Sequence, residues 1–569
     1  MGAFLHPTAL ATPDAGDAVA AWYAARNWVD ETATDVAEND PGVPLVQGAT
    51  ACCVILRFDG RLVGLGTAEE DPADMVRLAT MRALEDALDD QTISALPEDL
   101  RGDAGKRLTL ELELAGELEP LIGTSLIELD SDIHPLHHGL GLRWGTRWAY
   151  RYPCRLRLVN NWAKASRLES MGIGLGLTPR AAVEGMRRGD VAAYRFEVLA
   201  LAQPTPGAPP MEVVAGSIGV HDIPDMKSLE DARVRLLDHV IGTLWPGEEP
   251  IGVMGHYEPS TDRYRPLIAS NLDQALTAYA LARASDDEGI GRERSDEAVR
   301  VAATILDLLS ESDDLEKSSV EHASFLLALS SMKDLETSEG IDLHRDAAIG
   351  HFEELIEETS NGNTVDSHAM SMASLAMAGM KRHETARALA DNAWASTPIE
   401  RHVSLMPWIA WSELALAGED GPAHAEELSG LRAVLHERQV PSGDARFGAE
   451  LVGGFLLGQD PVDVDAQSLR PAAAMPAMLL SNHLTEPAER LDMMNRLNAL
   501  AGFLLRLQMS SEGASLHRNP ERGIGGIRMA FWDNRMPPAV QVMALLALQE
   551  LLAIEDAYGI VPGEDPELY

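Results

Sequence analysis

From about Pro250 onward the chain reads as one helix after another, and that run limits the fold more than any other feature. About twelve segments carry helical spacing of apolar residues, at 271–284, 296–309, 320–332, 345–358, 368–378, 384–395, 405–417, 423–437, 449–457, 472–483, 488–509 and 540–555. They differ in kind. His368 to Ala378 and Ala472 to Leu480 are small and apolar nearly all round, as inner helices should be. Arg345 to Glu358 and Ala423 to Glu437 are amphipathic and charged, as outer helices should be. Short loops with Gly, Pro, Asn and Asp separate them, so the expectation is six helical hairpins. No fixed repeat period runs through the region, which argues against an open solenoid.

A phrase used twice argues for a closed ring. His256-Tyr-Glu-Pro-Ser-Thr-Asp-Arg-Tyr-Arg-Pro leads into Ser270-Asn-Leu-Asp-Gln-Ala-Leu. Arg518-Asn-Pro-Glu-Arg-Gly-Ile-Gly-Gly-Ile-Arg leads through Trp532-Asp-Asn-Arg into Gln541-Val-Met-Ala-Leu-Leu. Each is a loop rich in Arg, Asp and aromatic rings that opens onto an Ala/Leu helix. The reading is that the two loops meet and line one mouth. The region, expected over 250–560, resembles the (α/α)6 toroid of six-hairpin glycosidases, sugar epimerases and terpene-cyclase-type proteins.

The first part, 1–245, mixes strand and helix signals, so the fold class expected is α+β followed by an all-α (α/α)6-like toroid. Asp14 to Arg26 has helical spacing, and Asp59-Gly60 sits between two apolar runs, a strong hairpin signal. Leu108-Thr-Leu-Glu-Leu-Glu-Leu alternates strictly and predicts a half-buried strand. A second hairpin is expected around Gly145, a helix over 162–171, and a last strand at Tyr194-Arg-Phe-Glu-Val-Leu.

The order Cys53-Val-Ile-Leu-Arg-Phe-Asp-Gly-Arg-Leu-Val-Gly-Leu-Gly-Thr, then Leu110-Glu-Leu-Glu-Leu with Glu119-Pro-Leu-Ile, then His138-Gly-Leu-Gly-Leu, Gly145 and Tyr152-Pro153 resembles the AMMECR-type domain. The resemblance covers about 14–165, leaving 166–245 as an extension. It implies a fold and no activity. The family signature Leu-Arg-Gly-Cys-Ile-Gly is replaced by Leu62-Val-Gly-Leu-Gly, so a site built on that cysteine is absent.

Composition narrows the partners. Net charge is −43, and all but six of the 46 basic side chains are arginine. Such a surface repels phosphate backbones and anionic headgroups, which disfavours nucleic acid and membranes. The acids are spread along the chain, so the charge reads as solubility, in keeping with a saline habitat. Cys52, Cys53 and Cys154 are too few for a disulfide framework and lack zinc spacing; a reducing, cytoplasmic compartment is expected. Of the adjacent pair, alternation along a strand predicts one side chain in the core and one out of it. Met1-Gly-Ala-Phe-Leu-His-Pro has no basic n-region and reads as no signal peptide.

Candidate chemistry follows from the ring. The acids Asp262, Asp366 and Asp533 are the expected catalytic carboxylates, one proposed to protonate a leaving oxygen and another to activate water. Around them, Tyr257, Arg263, Tyr264, Asn271, Gln274, His368, His402, Trp408, Arg518, Arg528, Trp532 and Arg535 are the expected substrate-binding set. Rings stack on sugar faces, and guanidinium groups grip carboxylate or phosphate bidentately. Each also has a structural reading: Asp366 as a helix N-cap, Asp262 as a turn residue, Arg528 with Asp533 as an internal ion pair. No metal is expected, the histidines of Ile133-His-Pro-Leu-His-His lacking a second ligand pattern, and no motif calls for a cofactor. The expected ligand is a polar, glycan-like or anionic small molecule. The alternative is a noncatalytic scaffold with an AMMECR-like recognition module.

Overall fold

The computed structural model describes residues 12–32, 45–69, 74–121, 133, 137–154, 171–214, 216–218, 224–312, 318–332, 338–360, 366–444, 447–458 and 463–558. The expected helix over 162–171 lies outside them except for its last residue, as does His134.

The first hairpin forms where Asp-Gly predicts it. Strands β1 (Ala51–Phe58) and β2 (Arg61–Ala68) are joined by Asp59 and Gly60, with φ of 47° and 72°. Both central residues are left-handed, as the tight hairpin turn requires. Helix α1 (Ala15–Asp30) precedes them and α2 (Met75–Asp89) follows. The glycines of Leu62-Val-Gly-Leu-Gly have a packing role: a Cβ on Gly64 or Gly66 would lie 2.1 or 1.9 Å from a carbonyl oxygen of α2. Their absence of a side chain lets the helix lie directly on the strand.

The remaining strands are β3 (Leu108–Ala115), β4 (Glu119–Pro120), β5 (His138–Trp144), β6 (Arg147–Arg151), β7 (Val191–Ala202), β8 (Met211–Val214) and β9 (Ser217–Ile218), with helix α3 (Pro179–Arg188) before β7. The sheet runs β2-β1-β3-β7-β5-β6, and its pairings are antiparallel. Helices α1 and α2 cover one face through Trp22, Leu84, Val54 and Leu112. Ile55, Tyr152 and Phe196 fill the other. This corrects two expectations. Both Cys52 and Cys53 are buried, and β3 is buried on both faces, Glu111 and Glu113 included. Alternation still holds, but neither side of this strand pair faces water.

Among the described residues the second part is all-α apart from one hairpin. Its helices of eight residues or more are α4 (Met226–Ile241), α5 (Asn271–Ser285), α6 (Arg292–Ser310), α7 (Ser319–Ser331), α8 (Glu339–Ser360), α9 (Ser367–Gly379), α10 (His383–Ser396), α11 (Trp408–Ala415), α12 (Ala425–Arg438), α13 (Leu469–Leu480), α14 (Arg490–Leu507) and α15 (Pro538–Tyr558). Helix α5 packs on α7, α7 on α9, α9 on α11, α11 on α13, α13 on α15, and α15 back on α5. That closes an inner ring. The even-numbered helices stand outside it; α6 buries the stripe Ala298, Val301, Ala302, Ile305, Leu306 and Leu309, spaced at helical period. Inner helices such as α7 are buried on nearly every side. An apolar circumference has to be enclosed, and a closed ring encloses it.

One helix differs from expectation. Residues 449–457 form only a short turn, Ala449–Leu451, followed by Gly453 at φ 92°. Helix α4 is the twelfth, packed on α6, α14 and α15 and serving as the outer partner of α5.

Buried glutamines account for part of the repeated phrase. Gln541, at the start of α15, accepts the Ile527 N–H at 2.7 Å and donates to the Ile527 carbonyl at 2.8 Å. Gln274, in α5, accepts from Val253 N–H at 3.3 Å and donates to the Ala269 carbonyl at 3.2 Å. Each amide pins the loop ahead of its helix. Gln541→Ala is expected to cost about 2–3 kcal/mol by stranding two buried main-chain groups. Gln274→Ala, with longer bonds, should cost less. Melting curves of the two variants check the order; a Gln541→Ala protein as stable as the parent would refute the clamp.

The sheet domain rests on the last loop of the ring. Leu516 packs with Ala202, Met211 and Val213. The turn at Gly60 approaches so closely that a Cβ there would lie 1.8 Å from the His517 carbonyl oxygen. His137 reaches Glu450 at 3.0 Å.

Candidate active site at the mouth of the ring

Inner helices begin at one end of the ring, so the loops that precede them gather there. The loop before α5 folds into a hairpin, β10 (Met254–Glu258) with β11 (Arg263–Ile268). It meets the loop before α15: Tyr257 and Met536 exchange main-chain hydrogen bonds of 3.2 and 2.9 Å. The two copies of the phrase therefore touch, as the ring reading requires.

Asp262 holds them together. At φ 52° in the hairpin turn, it accepts from the Tyr257 hydroxyl at 3.1 Å, from Arg522 at 3.1 Å and from Asn519 at 3.4 Å. Burial, then the neighbouring Asp262, pushes the Tyr257 hydroxyl well above its usual value. Arg518 donates its N–H to Pro259 and its guanidinium approaches the Thr261 carbonyl. Tyr264 stacks at a tilt on Tyr257, 5.1 Å between centroids, and Arg263 is exposed.

Asp366 caps α9, accepting the N–H groups of His368 and Ala369 at 3.0 and 3.1 Å. Asn271 reaches Ser312 at 3.5 Å. His402 bonds the Thr397 carbonyl at 2.9 Å, its ring edge-on to Trp394. Trp408 and Trp532 are core side chains, 0% and 7% exposed. Arg528 is buried and donates to the carbonyls of Arg506 and Leu507. Asp533 is gripped instead by Arg535, whose Nε lies 2.9 Å from both carboxylate oxygens.

Two groups at the mouth escaped the sequence reading. Asp465 precedes α13 and accepts the Gln467 N–H at 2.8 Å. The Ala466 N–H bonds the Met529 carbonyl, and the Met529 N–H bonds the Arg535 carbonyl, which brings this loop beside Asp533. Burial raises the Asp465 carboxyl to about 6; the Gln467 N–H lowers it, and the charges of Asp463 and Asp533 raise it again. Arg470, the second residue of α13, reaches the Ser404 carbonyl at 3.2 Å and lies 3.4 Å from both ring nitrogens of His368. Burial, then Arg470, lowers His368 to about 4, so the ring is neutral near pH 7. A groove of about 1020 Å³ lies beside Arg470, lined also by Glu400, Arg401, Val403, Leu431 and Gln467. The doublet Asp463-Val-Asp465 just ahead of an apolar helix was the available signal.

No protein-family profile matches the chain, and no curated protein matches it. Among solved structures, the crystal structure of uncharacterized protein PH0010 from Pyrococcus horikoshii aligns at 18% identity over 35% of this chain and 95% of that one, with a TM-score of 0.26. Among the described residues no helix is long and apolar enough to cross a membrane.

Proposed function

We propose that the ring mouth is an active site for a polar, anionic, carbohydrate-like small molecule, and that the N-terminal domain is AMMECR-like. The observation that carries the enzymatic reading is that the Asp465 loop is hydrogen-bonded to the Asp533 loop, Ala466 N–H to the Met529 carbonyl and Met529 N–H to the Arg535 carbonyl. The two carboxylates have different surroundings: one is desolvated beside like charge, the other is held by Arg535. Environments that separate two carboxyl groups in this way are how acid and base roles are divided. Asp465 serves as proton donor to the departing oxygen and Asp533 as the group that activates water or abstracts a proton. Arg470, flanked by a neutral imidazole, receives the anionic group of the ligand.

The test is a thermal-shift panel of neutral sugars, sugar acids and sugar phosphates on the full chain. A ligand that binds only the native state raises its melting temperature. Anionic members are expected to give the shift, and Arg470→Leu to lose it. Equal shifts from neutral sugars, or an undiminished shift in the variant, would overturn the assignment.

One observation favours a second reading, a binding scaffold without catalysis. Asp262, Asp366, Gln274 and Trp408 are spent on holding the ring, and only about 10 Å³ of free space lies beneath Tyr257 and Met536. A panel with no stabilising member would support it.

A further inference from the structure

Behind the sheet, three groups from distant parts of the chain converge. Cys53 on β1 stands directly opposite Glu113 on β3 in the antiparallel register. Cys154, just beyond β6, gives its main-chain N–H to the Glu113 carboxylate at 3.0 and 3.3 Å. The two sulfurs and a carboxylate oxygen all lie within 4.8 Å of one another, and all three residues are buried. Ala51, Ile55, Ala115, Tyr152 and Phe196 enclose them. Cys52, one residue away, points to the opposite face among Val54 and Leu56.

The donor set has its own chemistry. Two soft sulfurs and one oxygen are the ligands of a borderline-soft cation, and oxygen-seeking Mg²⁺ or Ca²⁺ would leave the sulfurs unused. Zinc binds sulfur at about 2.3 Å and carboxylate oxygen at about 2.0–2.2 Å in tetrahedral geometry. Ligand atoms around it then stand roughly 3.5–3.8 Å apart, within the span that these three already occupy.

We propose that Cys53, Cys154 and Glu113 form a site for a thiophilic divalent cation, with Zn²⁺ the best fit. On binding, two metal–sulfur bonds replace two S–H bonds, both protons leave to solvent, and no electron is transferred. Because binding releases those protons, affinity increases with pH. The cation would tie β1, β3 and the segment after β6 together. Its gain in stability follows from mass action. Sequence spacing hid the site because strand register, not proximity along the chain, assembles it.

The experiment uses the full chain, reduced, stripped with a chelator and then given Zn²⁺ or Co²⁺ alone. Expected results are retention of one equivalent of Zn²⁺ after desalting, a melting temperature raised by several degrees, and thiolate-to-cobalt charge-transfer absorption. Cys53→Ser and Cys154→Ser should lose that absorption, and Cys52→Ser should keep it. The parent protein's cobalt spectrum decides the matter even if a serine variant does not fold. No retained metal, a cobalt spectrum without thiolate bands, or bands that depend on Cys52 would each overturn the site. So would a parent protein two hydrogens lighter, with Cys53 joined to Cys154, that metal does not protect.

Discussion

Glu413→Ala is expected to lower the stability of the helical ring by about 3–5 kcal/mol, the usual cost of removing one partner from a buried charged network. Glu413 sits on inner helix α11 with its side chain 0% exposed. Arg387 on α10 donates to both of its oxygens at 2.9 Å. Trp394 on the same helix donates its indole N–H at 3.2 Å, and His424, ahead of α12, approaches at 2.8 Å. One carboxylate thus joins an inner helix to two outer elements. Alanine leaves an indole N–H and a guanidinium without their main acceptor, and it opens a cavity in the wall. Glu413→Gln keeps the shape and one acceptor, so it should fall between the parent and Glu413→Ala. Urea unfolding followed by far-ultraviolet circular dichroism measures both. A loss under about 1 kcal/mol for alanine would mean the network contributes no more than an exposed ion pair.

Asp465→Asn is expected to do the reverse to stability while removing activity. In the native chain the carboxyl binds its proton up to about pH 6, against 3.8 ordinarily. Between these values the folded state holds the extra proton, so its stability falls as pH rises. Above about pH 6 the penalty is complete, on the order of 2 kcal/mol after allowance for partial exposure. Asparagine carries no charge and can still accept the Gln467 N–H. The variant should therefore melt higher than the parent at pH 8 and match it near pH 4. His239 and His368 are both lowered to about 4 by burial and give the opposite slope, stability lost as pH falls from about 6.5 to 4. They are common to both proteins and cancel in the difference. Once a turned-over substrate is in hand, its rate should fall as pH rises through about 6. It should drop about 10²–10⁴-fold in the variant, as removal of a general acid does. An active Asp465→Asn protein, or one less stable than the parent at pH 8, would falsify the proton-donor role.

What could be read without coordinates were the features whose cause is local. The Asp59-Gly60 turn, the α9 cap at Asp366 and the division into inner and outer helices depend on residues within a few positions of each other. The α+β part and the all-α run followed from those periods, and the closure of the ring from the repeated polar phrase. Tertiary structure decided which polar residues had work left to do. Asp262 and Asp366 look alike in sequence to a catalytic acid, yet one staples two loops 260 positions apart and the other caps a helix. Helix α4 has the amphipathic stripe of any surface helix; only packing shows that it belongs to the ring. The pairs Asp465 with Asp533 and Cys53 with Cys154 are set by loop contacts and strand register between remote segments. Local patterns specify elements because their hydrogen bonds close within a few residues, whereas sites depend on which distant elements share a buried surface.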